Sequence, residues 1–144
     1  MRVRVTVENT DTIEKLLLEN GIDVGLVEGR IHSPYLVQFP YRKDRLVMIC
    51  PPEHPYASYQ SIVPEVLAAE DMLLREKGSA VRELFDIRMA EAGLEIEPVW
   101  ERGSTRALVR AVRSNVGLSV LHYYTVADNI RRGAVTEVAA ERGW

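Results

Sequence analysis

The sequence predicts an α/β domain, because short apolar runs of strand length alternate with segments of helical period and short turns join them. We expect largely parallel sheets, since a helix between two strands returns the chain to the same edge. The chain has 144 residues, 47 % of them hydrophobic and 27 % charged, which is enough to bury a core and is ordinary for a globular protein.

Composition also excludes several classes of function. The formal net charge of −3 provides no overall basic field for nucleic acid. One cysteine, Cys50, cannot form an internal disulfide framework, and its place at the end of LVMIC predicts a buried thiol. No apolar run resembles a signal peptide or a membrane span, so we expect a cytoplasmic protein. His32 and the other two histidines form no H-x-x-x-H or Cys/His cluster, so neither a metal site nor a cofactor is predicted.

The first third of the chain contains one predicted helix and four predicted strands. Thr10-Asp11-Thr12 offers helix caps and Asn20-Gly21 a stop, while alternating or continuous apolar residues mark the strands. The predicted strands are Arg2–Val7, Ile22–Val27, Tyr35–Phe39 and Arg45–Cys50.

Prolines in PPEHPYA, residues 51–57, mark the best boundary in the chain. Proline removes a hydrogen-bond donor and fixes φ, so this stretch is expected to be neither helix nor central strand, and His54 is expected to shape a turn. The elements predicted beyond it are a short helix near 64–69, a strand 72–74, a helix 80–92, a strand 98–101, a helix from Ser104, a strand 117–121, a helix ending at 132–133, and a strand 135–138.

Two Gly-Ser turns are the candidate ligand site. In LLREKGSAVRELF, Gly78-Ser79 ends a strand and opens a helix without a P-loop or dinucleotide fingerprint, so Ser79 is expected to cap a helix whose N-terminus favours an anion. Gly103-Ser104-Thr105 repeats the device, and both turns can face one crevice at the strand ends. His122 ends the next strand, where it either contacts a ligand or is structural. The predicted ligand-binding residues are Gly78, Ser79, Ala80, Ser104, Thr105 and His122.

No catalytic constellation is found. Asp23 stands in an apolar strand without a second carboxylate or histidine in a recognisable relation to it, so no enzyme activity is predicted. The arginines of the helix after Ser104 form a basic stripe, which is either a solvated face or a dimer contact with acidic residues such as Glu14 and Glu19. Its members are Arg102, Arg106, Arg110 and Arg113.

Four segments in order resemble the effector-binding domain of LysR-type transcriptional regulators. They are LLLENGIDVGLVEG, YRKDRLVMICPPEHPYA, LLREKGSAVRELFDIRMAEAGLEIE and GSTRALVRAVRSNVGLSVLHYYTV. The resemblance implies a periplasmic-binding-protein type II fold, in which two α/β subdomains joined by two crossover segments bind a small, anionic effector in the cleft between them. Subdomain 1 would comprise residues 1–50 and 123–144, and subdomain 2 residues 51–122.

The resemblance also implies partners and departures. Family members act as homodimers or tetramers and bind DNA through an N-terminal helix-turn-helix, which has no counterpart here. The stretch 1–7 resembles the family's second strand, so the chain is expected to be a fragment with an incomplete first subdomain. His122 stands where the family often has proline. The alternatives are a solute-binding protein of a transporter with the same fold and, third, an enzyme on that fold.

Overall fold

The computed structural model of the protein describes residues 2–140. Met1 and residues 141–144, which the sequence assigns to subdomain 1, lie outside the described residues. Within them, no helix is both long and apolar enough to cross a membrane. The helices and strands are α1 (Thr10–Leu18), β1 (Leu46–Cys50), β2 (Leu73–Leu74), α2 (Ala80–Glu91), β3 (Trp100–Glu101), α3 (Thr105–Arg113), β4 (Ser119–His122), α4 (Tyr123–Arg131) and β5 (Thr136–Val138), with short 3-10 helices at Pro55–Ser58 and Pro64–Ala69.

The core is built around β1, whose five side chains are all buried. This strand lies in the middle of a three-stranded sheet, in the order β4-β1-β5. Leu46 lies opposite His122, and Met48 lies between Val120 and Val138. Alternate residues of β1 belong to two different apolar clusters, one on each face of the sheet. The continuous apolar run LVMIC is therefore a strand covered on both faces.

The central sheet is antiparallel, which corrects the expectation of largely parallel strands. The chain leaves along β1 towards residues 51–118 and returns along β4 beside it, so the two strands run in opposite directions. A parallel pair is formed by β2 and β3. Alternation of strands and helices predicted the elements but could not show which strands become neighbours.

A close backbone contact at Gly117 joins the two sheets. A Cβ atom at this position would lie 2.2 Å from the carbonyl oxygen of Asp71, so a larger residue would displace the backbone. The N–H of Leu118 donates to that same oxygen at 2.9 Å, and the N–H of Leu73 donates to the carbonyl of Leu118 at 2.8 Å. Glycine therefore allows β4 to begin beside β2.

Four helices were predicted beyond the proline-rich boundary; the three longer ones are present as α2, α3 and α4, and the short one is the 3-10 helix Pro64–Ala69. Phe85 and Met89 of α2 are buried in one apolar cluster, and Leu108 and Val112 of α3 in the other. The arginine stripe lies on the opposite, exposed face of α3 and in the turn before it. Apolar positions at helical spacing thus identified the buried faces correctly.

The proline-rich stretch contains a short 3-10 helix at Pro55–Ser58, although the sequence predicted no helix there. Proline is tolerated at the start of a helix, where its missing N–H would have no intrahelical acceptor. His54 shapes this turn as predicted, because its Nδ1 accepts a hydrogen bond from the N–H of Tyr56 at 3.2 Å.

Three predicted strands are wrong. Residues 2–7, 22–27 and 35–39 are not assigned to strands, and most of their apolar side chains are exposed; the exposed fractions of Val5, Val24 and Val37 are 77 %, 80 % and 81 %. A strand needs a neighbour for its N–H and C=O groups and cover for one face. No described residue supplies that neighbour, and alternation along one segment cannot reveal whether a partner strand exists.

The helix α1 forms where it was predicted but begins differently. Asn9 is the N-cap, and its side chain accepts a hydrogen bond from the N–H of Thr12 at 3.0 Å. Glu14 of α1 is buried and accepts hydrogen bonds from the N–H groups of His32 and Ser33. Of the two acidic residues suggested as partners for the arginine stripe, Glu14 is therefore already engaged, whereas Glu19 is exposed.

Candidate functional site

A cleft of about 560 Å³ opens between the two Gly-Ser turns and the chain segments around the start of α1. The turns follow β2 and β3, so the carboxyl ends of the parallel strands meet at this edge. The opposite wall consists of the residues just before α1 and of the stretch 26–28. The lining residues are Val7, Glu8, Asn9, Thr10, Leu26, Val27, Glu28, Arg75, Glu76, Ser79, Gly103, Ser104, Thr105 and Arg106.

Ser79 lies at the N-cap position of α2, but its hydroxyl makes no capping hydrogen bond. This corrects the prediction that the side chain caps the helix. The turn depends on Gly78, whose φ of +91° lies in the left-handed region that favours glycine. The first turn of a helix leaves its N–H groups without intrahelical acceptors. Ser79 thus brings a hydroxyl that the helix does not use, and a helix N-terminus, to the cleft.

The second turn combines a cap with a contact across the cleft floor. The Ser104 hydroxyl accepts a hydrogen bond from the N–H of Ala107 at 3.3 Å and so caps α3. The Thr105 hydroxyl accepts one from Nη1 of Arg75 at 3.3 Å. The structure therefore brings Ser79, Ser104 and Thr105 together in one cleft.

Gly78 and Ala80 are not among the residues that line the cleft. The carbonyl of Gly78 accepts a hydrogen bond from the N–H of Asp11 at 3.2 Å, which holds the turn against the start of α1. Ala80 packs against Gly29, where a Cβ atom would lie 2.7 Å from the Ala80 methyl group. Both residues support the turn from outside the cleft.

Sequence reasoning missed a polar group at the centre of the cleft. Arg75 donates to both carboxylate oxygens of Glu76, from Nε at 2.9 Å and from Nη2 at 3.1 Å. Glu76 also accepts a hydrogen bond from the Asn9 amide at 3.1 Å. The pair directly precedes Gly78-Ser79 in LLREKGS, which is the signal that could have pointed to it. The hydrogen bond between Glu76 and Asn9 joins residues 67 positions apart, so no local sequence pattern could predict it.

The electrostatics of the cleft are mixed. Burial alone would raise the pKa of the Glu76 carboxyl, but hydrogen bonds from Arg75, from its own backbone and from Asn9 lower that pKa below its ordinary value. Glu76 is therefore ionised at neutral pH and balances the charge of Arg75. The further positive contributions are Arg106 and the N-termini of α2 and α3.

His122 lies apart from these residues, and it does not line the cleft. It is 7 % exposed at the end of β4. Its ring lies between the carboxylates of Glu28 and Asp44, at 3.3 Å and 3.8 Å. Because Glu28 also lines the cleft, His122 is next to the cleft without contributing to its wall.

The chain has a periplasmic-binding-protein type II-like fold. It combines a parallel strand pair, helices that begin at the cleft edge, and an antiparallel pair that carries the chain out and back. The family model of the LysR substrate binding domain matches residues 1–142. The chain belongs to this family, as its four sequence segments predicted.

The relatives include regulators of transcription. The HTH-type transcriptional regulator YeiE of Escherichia coli strain K12 is 31 % identical over 137 residues, which cover 95 % of this chain and 46 % of that protein. The regulator CysL of Bacillus subtilis is 30 % identical over 121 residues, 84 % of this chain and 40 % of that protein. The chain thus spans about half the length of the curated relatives it matches.

Solved structures share the fold. The regulatory domain of CcmR from Synechocystis PCC6803, in complex with 2-PG, superposes with a TM-score of 0.82 at 24 % identity and covers 99 % of this chain and 68 % of that one. The effector-binding domain of QuiR, in complex with shikimate, gives a TM-score of 0.83 at 20 % identity, with 95 % and 64 % covered. Both structures hold a small molecule.

Proposed function

We propose that this chain is the effector-sensing and oligomerising part of a bacterial LysR-type transcriptional regulator, and that a small anionic metabolite binds against Ser79, Ser104 and Thr105. The observation that carries the proposal is the meeting of both Gly-Ser turns in one cleft beside Arg75. The small molecules held by CcmR and QuiR support a ligand of this size.

The preference for an anion follows from the donors in the cleft. The Ser79 hydroxyl is not used by α2, and the N-termini of α2 and α3 both border the cleft. Helix N-termini attract carboxylates and phosphates through unpaired N–H groups and the helix dipole. Glu76 already balances Arg75, so a ligand carboxylate would interact with hydroxyl and backbone donors and with Arg106, which also lines the cleft, more than with Arg75.

Binding would act on transcription by changing the relative pose of two subdomains, residues 1–50 with 123–144 and residues 51–122. The strands β1 and β4 carry the chain between them in this division and pair in register over Leu46–Ile49. A ligand shifts such an equilibrium only by its difference in affinity for the open and closed states. In the whole protein, a helix-turn-helix domain would transmit the shift to DNA, and a homodimer would present two such domains and a tetramer four.

Titration calorimetry with amino acids, aromatic acids, sulfur and nitrogen metabolites, shikimate and 2-PG tests the proposal. We expect an acid from this panel to bind, and Ser79→Ala to weaken its affinity by about tenfold, because one hydrogen bond to a charged group contributes about 1.5 kcal/mol. Unchanged affinity in Ser79→Ala would show that the ligand binds elsewhere.

Ser104→Ala is the comparison for stability, since it removes the same hydroxyl from the second turn of the proposed site. This hydroxyl caps α3, so its loss should lower the free energy of unfolding by about 1 kcal/mol. Ser79→Ala removes no cap and should leave the stability nearly unchanged. Chemical unfolding of both variants separates loss of ligand contacts from loss of fold.

A further inference from the structure

Three acidic or basic side chains from distant parts of the chain meet beside the cleft. They are Glu28 from the stretch that forms one cleft wall, Asp44 from the turn before β1, and His122 from the end of β4. One possible ligand atom from each lies within 4.8 Å of the other two. The three residues are 16 or more positions apart, so their meeting depends wholly on tertiary structure and leaves no motif in the sequence.

The state of the His122 ring points to an absent partner. Both of its nitrogen atoms are buried and have no hydrogen-bond partner among the described residues. Yet Oε2 of Glu28 lies 3.3 Å from Nε2, and Oδ2 of Asp44 lies 3.8 Å from Nδ1. Buried polar atoms without a partner are rare because each costs about 1–3 kcal/mol. The carboxylates are thus near the ring without being placed to hydrogen-bond with it.

We propose that Glu28, Asp44 and His122 form a binding site for a divalent transition-metal ion. Two ligands of a tetrahedral zinc ion, each about 2.05 Å from the metal, lie about 3.3 Å apart, which is the separation between Nε2 of His122 and Oε2 of Glu28. In that geometry the oxygen lies about 35° from the lone-pair axis of the nitrogen. Two ligands of one metal ion therefore lie close to each other without a hydrogen bond between them, as Nε2 of His122 and Oε2 of Glu28 do.

The donor set selects the kind of ion. A neutral imidazole favours Zn²⁺, Fe²⁺ or Ni²⁺ over Ca²⁺ or Mg²⁺, and two carboxylates supply the hard oxygen ligands that these ions also accept. Three protein ligands leave a coordination position open. Since Glu28 is 48 % exposed in its side chain and lines the cleft, the ion would enter from solvent and lie near the cleft wall.

The competing explanation is an imidazolium that bridges two carboxylates as ion pairs. That arrangement would place each oxygen along an N–H direction, and neither ring nitrogen has such an acceptor. The pair formed by His32 and Glu83 shows the difference, because there Nε2 and Oε1 meet at 3.0 Å in a hydrogen bond. The contact between Nε2 of His122 and Oε2 of Glu28 has the spacing of two ligands of one ion, and Asp44 offers an oxygen within 4.8 Å of both.

This inference is independent of the proposed function, because the ion would bind whether or not an effector enters the cleft. The test is titration of the metal-free 144-residue chain with Zn²⁺ alone in a calorimeter, and with Co²⁺ followed by its visible absorption. We expect one ion per chain. Glu28→Gln and Asp44→Asn should each weaken binding by at least about 10–100-fold, the loss that follows even from removal of a group that only orients a ligand, and His122→Gln should abolish it together with the Co²⁺ bands.

Two control variants use the second histidine–carboxylate pair. His32→Gln and Glu83→Gln make the same chemical changes at a pair that is hydrogen-bonded and exposed, and both should bind Zn²⁺ like the unchanged chain. Absence of stoichiometric binding, or binding that survives Glu28→Gln and His122→Gln but not His32→Gln, would overturn the proposal. If His122→Gln fails to fold, the exposed Glu28→Gln and Asp44→Asn variants still decide the outcome.

Discussion

At the scale of single residues, Glu14 shows how one buried carboxylate fixes a segment that has no secondary structure of its own. Its oxygens accept hydrogen bonds from the backbone N–H groups of His32 and Ser33, at 3.2 Å and 2.6 Å. Burial alone would raise the pKa of Glu14, but these backbone donors and the charge of His32 lower it below its ordinary value of 4.5. The ionised form is therefore the one that holds residues 32–33 against α1.

The lowered pKa predicts the pH dependence of stability. A carboxyl whose folded pKa is depressed contributes stability above its unfolded value, here near 4.5, and the contribution is lost as the pH falls through the folded pKa. We expect Glu14→Gln to lower the free energy of unfolding by about 1–2 kcal/mol at neutral pH. Urea unfolding of both proteins from pH of about 7 to about 3 should show this difference shrinking below 4.5.

Glu19→Gln is the control for this prediction, because Glu19 lies on the same helix but is exposed and meets Lys15 only at 3.9 Å. It should change stability by no more than about 0.5 kcal/mol at any pH. A difference for Glu14→Gln that stayed constant into acid would show that the carboxylate charge is not what holds the segment.

Single residues also show which parts of the site could be predicted. The positions of Ser79 and Ser104 at the starts of helices and the burial of Cys50 were predicted correctly, because each depends on a local pattern: a Gly-Ser turn before a segment of helical period, or the end of an apolar run. Burial raises the pKa of the Cys50 thiol to about 11, with a smaller contribution from the charge of Glu53, so the thiol is protonated at neutral pH. His122, whose neighbours come from far along the chain, could not be placed by any local pattern.

At the scale of elements, α2 is tied to β3 and to the turn after β2 by one buried arginine. Arg82 donates to Asp86 at 2.9 Å, to Glu101 at 2.7 Å and to the carbonyl of Arg75 at 3.2 Å. Burial opposes its charge, but the hydrogen bonds to Asp86 and Glu101 outweigh burial and raise its pKa. The fork of a guanidinium reaches all three acceptors, which a lysine ammonium could not match.

Gly117 gives a prediction about the joining of β2 and β4. Gly117→Ala would place a Cβ atom 2.2 Å from the carbonyl oxygen of Asp71, so the backbone contact has to open. We expect the free energy of unfolding to fall by about 2–3 kcal/mol, measured by chemical denaturation.

Gly103→Ala is the matched control, because its Cβ would meet nothing closer than 3.6 Å. The free energy of unfolding of this variant should stay within about 0.5 kcal/mol of that of the unchanged chain. Equal losses of stability in the two variants would show that the close contact between Gly117 and Asp71 is not the cause.

The elements that sequence patterns predicted are those whose stability is mainly local. Helical period and N-cap residues identified α2 and α3, because the hydrogen bonds of a helix close within the segment. The run LVMIC identified β1, since it is apolar enough to be covered on both faces. The direction of each strand depends on which segments lie beside each other, and so does the failure of residues 2–7 to form a strand. The pattern within a single segment does not reveal its neighbours.

At the scale of the whole molecule, apolar side chains are distributed unevenly. Residues 46–50 and the core clusters they join are buried, whereas the described part of the chain before residue 46 exposes large apolar side chains on three segments. These exposed side chains are Val3, Val5, Val7, Val24, Leu26, Tyr35, Val37, Phe39 and Tyr41. Exposed apolar surface of this extent favours contact with other chains, and unpaired segments of high strand propensity add main-chain hydrogen bonds to such contacts.

This uneven distribution predicts how the isolated chain behaves. We expect it to self-associate and to bind a hydrophobic dye, and a chain carrying both Val24→Lys and Val37→Lys to associate less at equal concentration. The midpoint of thermal unfolding should change little, because both side chains are about 80 % exposed and bury almost no apolar area in the folded chain. Light scattering over a concentration series and dye fluorescence measure the association.

Gln60→Lys is the control for this prediction. It lies at an exposed polar position and adds positive charge without removing apolar surface. This substitution brings the net charge of −3 towards zero and so lowers the repulsion between chains, and we expect it not to reduce association. If it reduces association as much per added charge, the change of charge, and not the loss of apolar surface, explains the effect.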